Sequence, residues 1–92
     1  MHQSQIDEDV ISKELKLDLS NAVSVYVKNI GASECKFGLQ TILANKEYSM
    51  DLNNTMLLEK TTMKVSFKGG AGSLFYRIIR FSKQNCNIKN KN

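Results

Sequence analysis

From Leu15 onward, the apolar residues of this chain alternate with polar ones. Leu15, Leu17 and Leu19 form one such series, followed by Val23, Val25 and Val27, then Tyr48, Met50 and Leu52, then Met63, Val65 and Phe67. Successive side chains of a strand point to opposite faces, so a period of two describes strands with one face on a core and one in water. Almost nothing repeats at helical spacing. The pattern reads as a small antiparallel all-β domain.

Ninety-two residues hold one domain around one core. The expected division is an N-terminal arm over 1–13, a β-sandwich over 14–82 and an Asn/Lys-rich tail over 83–92. An apolar fraction of 41% with 24% charged residues is ordinary for a globular chain. No apolar run approaches the roughly 20 residues of a helical membrane crossing, so no membrane span is expected. The first nine residues are polar and acidic, with no basic segment leading into an apolar one, so no secretory signal is visible. The expectation is a protein made in the cytoplasm that stays there, or is displayed outside by lysis or by assembly onto a particle.

Six or seven short strands with frequent turns suit a single sandwich of jelly-roll or immunoglobulin-like topology, or a small closed barrel. In 1–13, Ile6, Val10 and Ile11 have helical spacing, but an extended assembly arm ordered by contact is the preferred reading. Glu14–Lys28 reads as one bent strand or two, broken at Ser20-Asn21. Val23–Lys28 and Glu34–Gln40 form a hairpin around Asn29–Ser33, with Thr41–Asn45 as a connector. Lys46–Leu52 follows, then a short edge strand at Met56–Glu59 and a clean strand at Thr61–Lys68. Gly69-Gly70-Ala71-Gly72 is a hairpin turn into Ser73–Phe81, which carries Leu74, Tyr76 and Ile78 on one face and Phe75, Arg77, Ile79 and Phe81 on the other. Apolar groups on both faces suggest a central strand, or one whose second face meets a partner.

The net charge of +4 is unevenly placed: five Lys against six acidic residues through Lys46, eight Lys or Arg against three acidic residues after it. Solvated tails explain this, as does an anionic partner for the C-terminal half or electrostatic contact between copies. No catalytic or cofactor constellation is present. His2 is the only histidine and has no orienting partner. The glycine-rich turn lacks the Lys-Ser/Thr and helix of a phosphate loop. Asp7, Glu8 and Asp9 have no apolar surroundings to raise a pKa. The expectation is therefore no enzyme, no metal and no cofactor. Cys35 and Cys86, the only cysteines, are candidates for an intermolecular disulfide; Cys35 also suits a small core position.

A candidate partner or nucleic-acid face comprises Phe75, Arg77, Arg80 and Phe81, joined by Tyr76, with Lys64 and Lys68 on the preceding strand. Barrels that bind single strands stack bases on aromatics and track phosphates with such cations. In the alternative reading, the phenylalanines belong to the core and the arginines to a solvated face.

Two stretches, VSVYVKNIGASECKFGLQ and KVSFKGGAGSLFYRIIRF, together with the polar arm ahead of them, resemble the small β-sandwich subunits of bacterial endospore appendages. The first resembles their early hairpin. The second resembles their final one: a strand, a Gly-rich turn, then a strand ending in an Arg-plus-aromatic pair. The resemblance implies a jelly-roll-like filament subunit on a spore surface, a virion decoration protein being a variant of the same class. Strand edges would augment neighbouring sheets and the arm would reach into the next copy. One departure concerns the connector, which in that family carries cross-linking cysteines; residues 1–13 have none. A homo-oligomer or filament is thus the first expectation, and a nucleic-acid-binding barrel the second.

Overall fold

The computed structural model describes residues 4–52, 57 and 60–81. They form eight strands and no helix: β1 (Ser4–Lys13), β2 (Leu15–Asp18), β3 (Ala22–Asn29), β4 (Cys35–Phe37), β5 (Gln40–Ile42), β6 (Glu47–Asp51), β7 (Thr62–Phe67) and β8 (Ala71–Phe81). The alternation gave six or seven; the difference arises because the arm forms a strand, β1, and because Glu34–Gln40 is not one strand. Gly38, at φ +63°, turns the chain back so that Cys35–Phe37 pairs with Gln40–Ile42.

The strands lie in two four-stranded antiparallel sheets, in the orders β1-β8-β3-β6 and β2-β7-β4-β5. Every connection except β4–β5 passes from one sheet to the other. This corrects both expected hairpins. β3 and β4 flank Asn29–Ser33 but belong to different sheets, as do β7 and β8 around the glycine turn. A turn that changes sheets and a turn that closes a hairpin use the same residue types, because both need only a reversal with tolerant φ. Gly69 and Gly70, at φ +86° and +94°, supply that reversal here.

The inner faces of both sheets meet in one core. Ile11, Ala22, Val25, Val27, Leu74 and Ile78 come from the first sheet, and Leu17, Cys35, Phe37, Ile42, Val65 and Phe67 from the second, with Leu19 at the β2–β3 corner. The Phe37 and Tyr48 rings meet across the gap, 6.2 Å between centroids. The arrangement is that of a small β-sandwich. Val23 departs from its valine series. A bulge between Ala22 and Ser24 shifts the register against β8, so Ala22 and Val25 are both buried while Val23 is half-buried.

Two details fix one end. Asn29, the one buried polar residue among those described, donates from Nδ2 to the carbonyls of Ser33 (2.7 Å) and Ile42 (2.9 Å). Its Oδ1 accepts from the Gly31 N–H at 3.1 Å, and its backbone bonds Asn45 and Lys46. The side chain thus ties the end of β3 to the loop before β4 and to the end of β5, and the backbone ties it to the loop before β6. At the same end, where Ser73 lies against Ile30 and Gly31, Gly72 sits under the Phe67 ring; a Cβ there would stand 2.4 Å from Phe67 Cδ1. The expected strand at Met56–Glu59, the 83–92 tail and Cys86 lie outside the described residues.

Candidate assembly surfaces

Residues 1–13 are expected to be an arm seeking contact, and residues 4–13 find it within their own chain. β1 pairs with β8 over its whole length, from Ser4 opposite Phe81 to Lys13 opposite Ala71. The helical spacing of Ile6, Val10 and Ile11 therefore produces no helix. Ile6 and Val10 share the outer face, 60% and 47% exposed, and Ile11 points inward, where it is buried. The reason is partnership: β8 offers a ladder for the backbone groups along one side of the segment. The acidic run also meets the two arginines of β8. Glu8 lies opposite Arg77 and accepts from its Nε, while Asp7 accepts from Arg80 Nε at 2.6 Å. Asp7 and Glu8 near the front of the chain thus meet the arginines of β8 inside one molecule, while Lys83, Lys89 and Lys91 lie outside the described residues.

Arg77 and Arg80 differ by an odd number of positions, so they leave the strand on opposite sides. Arg80 turns inward at the end of the sandwich. Beyond Asp7 it donates to the carbonyls of Ser20 (2.7 Å) and Asp18 (2.7 Å), fastening the β2–β3 corner to β8. The Asp18 carboxylate closes the same corner by accepting from the N–H and the hydroxyl of Ser20. Those two hydrogen bonds hold its carboxyl below the ordinary carboxylate range. Arg77 stands on the outer face, its guanidinium 6.0 Å from the Tyr26 ring centre and 5.8 Å from that of Phe75. The two rings meet edge to face at 6.2 Å. A hydrogen bond from the Tyr26 hydroxyl to Glu47 pushes its phenol upward.

The candidate nucleic-acid face is therefore not one surface. Phe75, Arg77 and Phe81 occupy the outer face of the first sheet, and Arg80 is held in the corner. Lys64 and Lys68 belong to the outer side of the second sheet, across the sandwich. Lys64 faces Glu14 at 3.3 Å, and Lys68 lines a shallow groove with Glu34, Lys36, Ser66 and Phe67. The sequence placed these lysines beside β8 by assuming that β7 and β8 pair. Tyr26 and Glu8 complete the Arg77 cluster; only the register of β8 against β3 and β1 brings them there.

Cys35 fills the core beneath β7 and is fully buried, so its thiol cannot reach a neighbouring molecule without unfolding. Burial pushes that thiol up to about 11. This corrects its place in an intermolecular disulfide. No group of three or more metal-ligating side chains occurs among the described residues. No helix of the described residues is long and apolar enough to cross a membrane.

Among the described residues, β1 and β6 stand at the edges of the first sheet and β2 and β5 at the edges of the second. β1 is the longest at ten residues; β6, β2 and β5 have five, four and three. The chain has no proline to interrupt any of them. A long edge beside an apolar outer face is the geometry on which further strands pair. No protein-family profile, curated protein or solved structure matches the chain.

Proposed function

We propose that this protein is a non-enzymatic structural subunit that assembles with copies of itself into a fibre or particle coat. The observation that carries the reading is β1, a ten-residue edge strand that exposes Ile6 and Val10 and has no strand on its second side among the described residues. Main-chain groups along such an edge pair with another strand, and alternate side chains set the register. The strand orders β1-β8-β3-β6 and β2-β7-β4-β5 favour an eight-stranded jelly roll over an immunoglobulin-like sandwich. Capsid and lectin domains use that architecture, as do the appendage subunits that the sequence resembles, although fold alone does not give function. Display on a spore or virion surface belongs to the same proposal. With Cys35 in the core, covalent linkage between subunits would fall to Cys86.

Negative-stain electron microscopy of the full chain, with and without reductant, tests this. Filaments or regular particles are expected, and Val10→Lys should suppress them while leaving the circular dichroism spectrum unchanged. A monomer at every concentration, with or without reductant, overturns the reading. The competing function, binding of single-stranded nucleic acid, now rests on the outer face that carries Tyr26, Phe75, Arg77 and Phe81. Retention on single-stranded DNA that falls steeply with salt and is lost in Arg77→Ala would favour it.

A further inference from the structure

We propose that β1 is an exchangeable strand, which leaves its own β8 and takes the same place on β8 of a second copy. The proposal deepens the self-assembly reading and rests on it; it names the segment donated, the acceptor and the hinge.

Three observations carry it. The first is the connection. β1 ends at Lys13 in one sheet and β2 begins at Leu15 in the other, so Glu14 alone makes the crossing, directly after a register irregularity between Ile11 and Lys13. Short hinges of this kind invite strand exchange, because opening into one extended segment relieves the bend.

The second is what holds β1. Its partner is β8, through the ladder and the pairs Asp7–Arg80 and Glu8–Arg77. Among its described side chains only Ile11 is buried, while Ile6 and Val10 are exposed. Every one of these contacts forms identically when β1 comes from another copy. The closed and exchanged states therefore differ in the hinge, in chain entropy and in concentration, not in the strand interface.

The third is register. A donated strand must find one alignment, since a slip by one residue turns every side chain to the other face. Glu8, directly opposite the outer arginine, and Asp7, diagonal to the corner one, specify it. A slip of two residues would restore the faces but part Glu8 from the Arg77 it lies opposite. Exchange between two copies closes a dimer. Donation always to the next copy leaves one free β1 and one free β8, and so propagates.

The test uses the full chain carrying Ile6→Cys, Ile79→Cys and Cys86→Ser. Positions 6 and 79 are opposed across β1 and β8, within the Cα separations that disulfides span. The protein is refolded from urea at low and high concentration, oxidised in the native state, blocked with N-ethylmaleimide and run on a non-reducing denaturing gel. Dimer or ladder bands that collapse with reductant, and grow with refolding concentration, are expected. Linkage only within single chains, in monomer and oligomer fractions alike, overturns the exchange. If particles still form in that case, assembly proceeds by edges alone and the structural-subunit reading stands; if none form, both fall. Should the cysteine variant not fold, inserting Gly-Ser-Gly after Glu14 gives a second measurement. A relaxed hinge should lower the oligomer fraction in size-exclusion chromatography by about tenfold, and an unchanged fraction overturns the proposal.

Discussion

Arg80 donates from Nε to the Asp7 carboxylate at 2.6 Å, joining two residues 73 positions apart and closing the first sheet from its last strand to its first. The same guanidinium holds two backbone carbonyls of the β2–β3 corner. A group that looked from the sequence like a free cation for a partner is thus a fastening within the domain.

Replacing Arg80 should therefore cost stability. Its side chain is only 17% exposed, so Arg80→Met leaves the Ser20 and Asp18 carbonyls poorly paired at a loss of about 2 kcal/mol. Arg77→Met, at a pair roughly half exposed on both sides, should cost less than about 1 kcal/mol. Urea unfolding of the two variants, followed by circular dichroism, checks the order.

The same pair makes stability depend on acid. The Arg80 hydrogen bond, then that from Gln5, hold the Asp7 carboxyl below the ordinary carboxylate range. The unfolded chain therefore binds this proton more readily than the folded one. The Asp7 contribution is fully present above the unfolded value of about 4 and is lost as pH falls through the folded value. The urea midpoint should drop between about pH 6 and about pH 3, and by a smaller amount in Asp7→Asn. Equal drops in both proteins would show that other carboxylates carry the effect.

Asn29 is expected to be the most sensitive polar position. Asn29→Ala removes three side-chain hydrogen bonds at a fully buried site, taking a donor from the Ser33 and Ile42 carbonyls and the side-chain acceptor from the Gly31 N–H. The expected loss is about 2–4 kcal/mol. Asn29→Asp should be worse at neutral pH than at acid pH, because a carboxylate cannot donate to the Ser33 and Ile42 carbonyls. Thermal melts at two pH values measure both effects.

Gly72 and Gly69 separate two reasons for glycine. A methyl at Gly72 meets the Phe67 ring, so Gly72→Ala should cost about 1–3 kcal/mol and be partly rescued by Phe67→Leu. At Gly69 the space is open and only the φ of +86° resists, giving about 1 kcal/mol that no Phe67 change relieves. A double-mutant cycle distinguishes them.

In a Cys86→Ser background, Cys35 should resist iodoacetamide near pH 8 in the folded protein and react once urea unfolds it. The buried thiol, pushed up to about 11, carries almost no thiolate there. Rapid alkylation in the folded state would contradict its place in the core.

The period of two was enough to establish an all-β chain, and it named the inward faces correctly where strands are regular. Val25, Val27, Val65, Phe67, Leu74 and Ile78 are all buried. It also divided the last strand into its two faces, because side-chain direction along a strand is a local property of the backbone. Which strands lie side by side is not local. Asn29–Ser33 and the glycine turn carry residues that suit either a hairpin or a crossing between sheets, and only competition for the shared core decides between them. That competition sent β4 and β7 to the second sheet, parted Lys64 and Lys68 from Arg77, and brought the acidic front of the chain against the arginines at its far end. The alternation, the charges and the breaks are written in the order of the residues. Which charges meet is set by register between strands that the chain keeps far apart, and so belongs to the folded domain.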